Sequence, residues 1–304
     1  MPEPAVLNPT NNTPPSTESS PHSQANLDTG GDDDVIAPEE SIASSTTSVS
    51  SSVMDYRDLQ HNMFLRTFDN RLGTAPANEK HSNVGRVLDV GTGTGIWAID
   101  FGDEHPDAEV LGVDISASWP NYMPPNVKFE IDDVEDLWTF SQPFDYIHSR
   151  LMQTGISSWA NYLKKCYDNL TPGGCLEVHE IDLFPLSDDG TLKEDSAILK
   201  DLADVLINVG FEDVVVQRYK WPTNTWPKDA WYKELGSWCH DDIVAGWEGF
   251  CLAPFTRALN WSKEEVMLFM IEVRKEFADK QIHAYFSVWS IYGRKPNNPQ
   301  SAAA

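Results

Sequence analysis

The sequence predicts an α/β protein, a mostly parallel sheet with helices on both faces, and three observations predict it. Short apolar runs alternate with stretches of helical spacing from residue 86 onward. The first of these runs, "RVLDV" (86–90), stops at a turn with glycine at 91, 93 and 95. The chain of 304 residues, 40% apolar and 11% aromatic with 11 Trp, has enough material to cover both faces of such a sheet. Strands separated by helices pair in parallel because the crossover must return the chain to the same edge.

Residues 1–53 stand apart. They are crowded with Ser, Thr, Pro and Asn, hold eight acids, and contain no Lys, Arg or aromatic residue. Such a composition cannot bury enough apolar surface to offset its chain entropy, which predicts a disordered acidic tail. The folded domain is expected over 54–296, with 297–304 a short tail. In 54–72, Leu59, Met63, Phe64 and Phe68 share one helical face. "RVLDV" is the first strand, and "GIWAIDFGDEH" (95–105) is a helix stopped before Pro106. Strands follow at 108–115, 126–131 and 144–149. A helix over 157–170 opens on serine and is expected to stop at "TPGG", a turn leading into the strand 175–184. A helix over 194–210 ends on Gly210, before a strand over 212–220. Two helical patches, 228–236 and 263–280, are joined by an apolar segment, and a final strand spans 282–293. If that strand pairs antiparallel with 212–220, residues 221–281 form a helical insertion over the carboxyl ends of the strands, as a lid.

Net charge is −25, of which −17 falls outside the tail. Nucleic-acid affinity comes largely from Lys and Arg neutralising phosphates, so this balance argues against nucleic-acid partners. No apolar segment approaches the ~18 residues of a membrane span. An acidic, Pro-rich start lacks the basic and apolar regions of a signal peptide, so the cytoplasm is the expected compartment. Cys166, Cys175, Cys239 and Cys251 form no CxxC pair and no zinc-finger spacing with His, so reduced thiols and no metal site are expected.

In an open α/β sheet, ligands bind beyond the carboxyl ends of the strands, where the first strand turns into its helix. Gly91, Gly93 and Gly95 let a ligand approach the main chain there, and Asp114 closes the following strand where a carboxylate can accept both ribose hydroxyls. Two cofactor classes use this arrangement. The nicotinamide fingerprint GxGxxG needs a third glycine where Ile96 stands. GxGxG preceded by an acid, here Asp89, is the S-adenosylmethionine version, whose sulfonium and amino group suit acidic surroundings. Without those acids the loop would read as a plain strand-to-helix corner. In "FEIDDVED" (129–136), Asp133 is placed to accept the adenine amino group, with the Val134 N–H near a ring nitrogen. An acidic run on its own is as readily a solvated loop.

"VLDVGTGTGIWAIDFGDEHPDAEVLGVDIS", "PPNVKFEIDDVEDLWTF", "FDYIHSRLM" and "LTPGGCLEVHEIDLF" resemble the class I S-adenosylmethionine-dependent methyltransferases. "SDDGT" (187–191), "WSKEEV" (261–266) and "IHAYFSVWSIYGRKP" (282–296) extend a closer resemblance to the fungal LaeA-like group of secondary metabolism. The resemblance implies a Rossmann-like, seven-stranded sheet with an antiparallel last strand. It implies cofactor contacts at Gly91, Gly93, Gly95, Asp114 and Asp133, with Asp89 supporting the loop. It also implies either an enzyme acting on a small biosynthetic intermediate or a regulator acting through protein partners, with the nucleus as its alternative compartment. One departure is a short segment, 198–209, where that group has a longer helical stretch that helps wall the acceptor pocket.

Methyl transfer is an in-line displacement dominated by positioning, and a base is needed only for acceptors of high pKa. His148, at the end of the fourth strand, is the candidate base. Tyr56 and His61 are candidates to cap the pocket, and Arg150 is either a partner for the methionine carboxylate or part of an ion pair. His179, inside the fifth strand, reads as structural. "HSRL" stands where the (N/D)PPY motif of nucleobase and amide methyltransferases would be. The Trp-rich stretch 221–261 reads first as a lid packed on the sheet, and second as an aromatic acceptor pocket.

Overall fold

A computed structural model of the chain describes residues 59–192 and 202–297. The expected acidic tail, Tyr56, the start of the 194–210 helix and the end of the 297–304 tail lie outside the described residues. Helix α1 covers 59–67. It is followed by β1 (Arg86–Val90), α2 (Ile96–Glu104), β2 (Glu109–Asp114), β3 (Val127–Ile131) and β4 (Phe144–Arg150). Then come α3 (Trp159–Asn169), β5 (Leu170–Ile181), α4 (Leu202–Val209), β6 (Glu212–Pro222), α5 (Ala230–Ala258), α6 (Lys263–Phe277) and β7 (Tyr285–Arg294).

The strands form one seven-stranded sheet in the order β3-β2-β1-β4-β5-β7-β6. Pairings from β3 through β5 are parallel. The last strand, β7, slots between β5 and β6 and runs antiparallel to both. Strand order reverses between β1 and β4, so the loop after β1 opens at the switch point where α/β sheets bind ligands.

Alternation along the strands divides the core. Val87 and Val110 face α2, where they meet Trp97 and Phe101. Leu88, Ile147, Leu176 and Val178 face the other side, against Leu163 of α3 and Leu206 of α4. A third cluster joins Met63, Phe64 and Phe68 of α1 to Trp221, Leu235, Cys239 and Val288. Each fully buried large side chain adds roughly 1.5–3 kcal/mol.

Two expectations are corrected. "LTPGG" is not a turn ahead of the strand: β5 already begins at Leu170, and Gly173 takes φ 82° within it. The pairing with β4 shifts register between Phe144 and Tyr146 to absorb the irregularity. Likewise, the patch at 228–236 and the apolar segment after it are one 29-residue helix, α5. Gly236, Gly246, Gly249 and Pro254 made it read as interrupted, yet Asp229 caps its start by accepting from the N–H groups of Trp231 and Tyr232.

Candidate functional site

At the carboxyl edge of β1, Gly91, Gly93 and Gly95 take φ of 70°, 58° and 78°. A Cβ at Gly91 would overlap the Met152 sulfur, and one at Gly95 would overlap the Phe129 ring. The loop therefore needs glycine for its backbone and for its neighbours alike. Its N–H groups tie it to β2: those of Gly91 and Thr92 donate to the Val113 carbonyl at 2.9 and 3.0 Å. Gly93 N–H donates to Asp114 Oδ2 at 2.9 Å, while Asp114 Oδ1 accepts from the Ser116 N–H and hydroxyl. Gly95 caps α2 without a side chain, leaving the first-turn N–H groups facing the loop.

Asp89 lies beneath the loop, almost wholly buried. Its Oδ2 accepts from the Thr92 hydroxyl at 2.6 Å, and its Oδ1 lies 2.7 Å from His148 Nδ1. Burial pushes the Asp89 carboxyl up to about 7, against the pull of Thr92 and Arg150. His148 is enclosed: its ring stacks on Trp97 at 3.7 Å, and its Nε2 meets His179 Nδ1 at 3.2 Å. Burial holds its pKa well below the usual histidine range, with His179 next in effect.

His179 Nε2 in turn donates to Glu177 Oε1 at 2.8 Å. Glu177 also accepts from Thr74, Ala75, Asn78, Tyr146 and Ser290. Burial alone would raise its pKa, but His179 beside it and these donors hold it well below the carboxylate range. A buried chain thus runs Asp89–His148–His179–Glu177, pinning Asp89 from below.

Arg150 donates to His61 Nδ1 at 3.2 Å, and His61 Nε2 meets Asp100 Oδ2 at 2.8 Å. The Arg150 guanidinium lies 5.1 Å from the Phe64 ring centroid. Burial lowers its pKa to about 10, with Asp89 and Asp100 opposing, so it stays charged at neutral pH. Asp133 Oδ1 accepts from the Glu135 N–H at 2.9 Å, and Val134 is partly buried, its carbonyl accepting from Trp138 and Lys165. Asp132 N–H donates to the Asp114 carbonyl at 3.1 Å, so Asp133 and Val134 begin the loop beside Asp114.

The structure therefore brings Asp89, the three glycines and Asp114 into one hydrogen-bonded unit, with Asp133 and Val134 alongside. His148 enters it from behind, with both ring nitrogens engaged inside the protein. Phe129, Met152 and Glu180 belong to the same edge and escaped the sequence reading. Strand alternation could have found Phe129, but nothing in "SRLMQ" marks Met152. Leu151 takes φ 57°, a left-handed conformation costing a leucine ~1–2 kcal/mol, directly after β4. Among the described residues no cluster of His, Cys, Asp and Glu is arranged for a metal ion, and no helix is long and apolar enough to cross a membrane.

Residues 59–230 match the family model described as a methyltransferase domain. The chain is similar to methyltransferase pytC of Aspergillus terreus, at 34% identity over 86% of this chain and 95% of that protein. It is similar to the secondary metabolism regulator LAE1 of Cochliobolus heterostrophus, at 35% identity over 80% of this chain and 87% of that protein. Among solved structures, phosphoethanolamine N-methyltransferase 2 of Haemonchus contortus is similar at TM-score 0.42 and 19% identity, over 70% of this chain and 49% of that one. With its Rossmann-like sheet and glycine loop, the chain belongs to the methyltransferase domain family, within the fungal LaeA-like group of secondary metabolism.

Proposed function

We propose that this chain binds S-adenosylmethionine at the glycine loop and methylates a small molecule of a biosynthetic pathway. The observation that carries the reading is the loop itself: three glycines with positive φ, held between the carboxylates of Asp89 and Asp114. A bare backbone with acids on either side, and no cation in the loop, suits a ligand that is itself positively charged. When bound, the cofactor supplies a methyl group on a sulfonium.

The residues divide the work. Asp114 retains acceptor capacity beside its bond to Gly93, and accepts the ribose hydroxyls. Ile115, 72% exposed, offers apolar surface to the adenine ring, with Asp133 and the Val134 N–H at its edge. The loop N–H groups and the Asp89 environment receive the methionine portion. His148 serves as a positioning residue that holds Asp89, rather than as a base on the acceptor. Similarity to LAE1 supports a second reading, a regulator working through protein partners with the same cofactor site.

Calorimetric titration of the full chain with S-adenosylmethionine, then with S-adenosylhomocysteine, tests the first step. Micromolar binding of both is expected. A folded chain that binds neither overturns the reading.

A further inference from the structure

Beyond the glycine loop, a cavity of about 550 Å³ opens between the ends of β4 and β5 and the helices α5 and α6. That volume falls within the roughly 300–1,000 Å³ of small-molecule sites. Its walls are aromatic, with Trp221, Trp247, Phe250, Phe277 and Phe286 among the lining residues. No Lys, Arg or His lines it among the described residues. Its charged lining is acidic: Glu180 from β5, Asp242 from α5 and Glu276 from α6.

Glu180 ties this cavity to the glycine loop. Its Oε1 accepts from the Met152 N–H at 2.7 Å, while the Met152 side chain lies against Gly91. Its Oε2 is buried with no hydrogen-bond partner, and Glu180 is among the residues that line the cavity. A buried polar atom of this kind carries a desolvation penalty that a ligand can relieve.

We propose that this cavity is the acceptor site, and that it takes an uncharged, largely apolar ring compound whose hydroxyl group bonds Glu180 Oε2. The proposal rests on the methyltransferase reading and names its substrate class. An anion would meet three acids and no base, and a cation would give up its hydration among aromatic walls beside a Glu180 that is chiefly neutral, each at a steep desolvation cost. A hydroxyl can accept the hydrogen bond that a protonated Glu180 carboxyl donates. Burial pushes the Glu180 carboxyl up to about 8, against hydrogen bonds from the Met152 and Gln153 backbone, so it is chiefly a neutral donor at pH 7. The titratable groups facing it or sharing its cavity are Tyr162 on α3, Asp182 beyond β5, Asp242 on α5 and Glu276 on α6.

The test is calorimetric titration of the full chain, with and without S-adenosylhomocysteine, using three probes of one size: 2-naphthylmethanol, 2-naphthylmethylamine and 2-naphthoate. The alcohol is expected to bind at least about tenfold more tightly than the other two. A ligand covering Glu180 favours its protonated form, so alcohol affinity should fall above about pH 8, by up to about tenfold per unit. That fall should vanish in Glu180→Gln, whose amide oxygen still accepts from Met152. Phe250→Asp, at an exposed rim position, should weaken the alcohol at least about tenfold while leaving S-adenosylhomocysteine binding intact. The inference is overturned by equal or tighter binding of naphthoate or the amine. It is equally overturned by an unchanged pH profile in Glu180→Gln, or by no effect of Phe250→Asp. A chain that binds S-adenosylhomocysteine but not the alcohol refutes this site alone; one that binds the alcohol but no cofactor refutes the methyltransferase reading alone.

Discussion

Asp89 Oδ1 and His148 Nδ1 lie 2.7 Å apart, with side chains 4% and 1% exposed. The carboxyl group under the glycine loop is therefore held by an imidazole that meets no solvent. Removing one partner of such a buried pair leaves the other polar group unsatisfied, at ~1–3 kcal/mol. His148→Ala should destabilise the chain by that order, with further loss from the empty space against Trp97. Asp89→Asn in the same background should recover part of it above about pH 7, where the unpaired carboxyl would ionise and an amide cannot. Urea unfolding of wild type, the two single variants and the double variant checks this, and additive effects would refute the coupling.

Asp114 anchors the loop through Gly93 and is assigned the ribose hydroxyls as well. Two charge-assisted hydrogen bonds at ~1.5–3 kcal/mol each would go with its carboxylate. Asp114→Ala should weaken S-adenosylmethionine at least about a hundredfold by calorimetry. Unchanged affinity would remove Asp114 from the cofactor site.

Gly95 holds φ 78° and its Cβ position is filled by the Phe129 ring. Gly95→Ala combines a left-handed penalty of ~1–2 kcal/mol with displacement of that ring. It should lower stability by more than the backbone term alone, and should impair cofactor binding. Phe129→Leu in the Gly95→Ala background should recover the contact part and leave the backbone part, as a non-additive pair in a double-mutant cycle.

Much of this architecture was legible from local signals. Strand positions followed from apolar runs, and the glycine loop from spacing, because both depend on residues near one another in sequence. What stayed hidden depends on distant partners. His148 read as a candidate base because its position at a strand end is visible, while the stacking of Trp97 and the bond from His179 are not. Helix α5 read as broken because its three glycines and Pro254 are poor helix formers, and tertiary packing of Leu235 and Cys239 overrides that preference. Glu180 drew no attention, since burial alone distinguishes it from any other acid on a strand.

Burial also gives Glu180 a definite pH signature. Its carboxyl lies at about 8 in the folded chain, against an ordinary value of 4.5. Between those values the folded state binds more protons than the unfolded one, so its contribution is greatest below about pH 4.5, lost as pH rises to about 8, and flat beyond. The loss is on the order of a few kcal/mol at ~1.4 kcal/mol per unit. Glu180→Gln does not titrate and keeps an acceptor for the Met152 N–H. Its stability should therefore match wild type near about pH 5 and exceed it by a few kcal/mol at about pH 9. Asp89, raised to about 7, adds the same slope to both proteins and cancels in the difference. Urea midpoints at the two pH values decide it: parallel pH curves for wild type and variant would mean that Glu180 ionises freely, and that the carboxyl beneath the aromatic cavity is solvated.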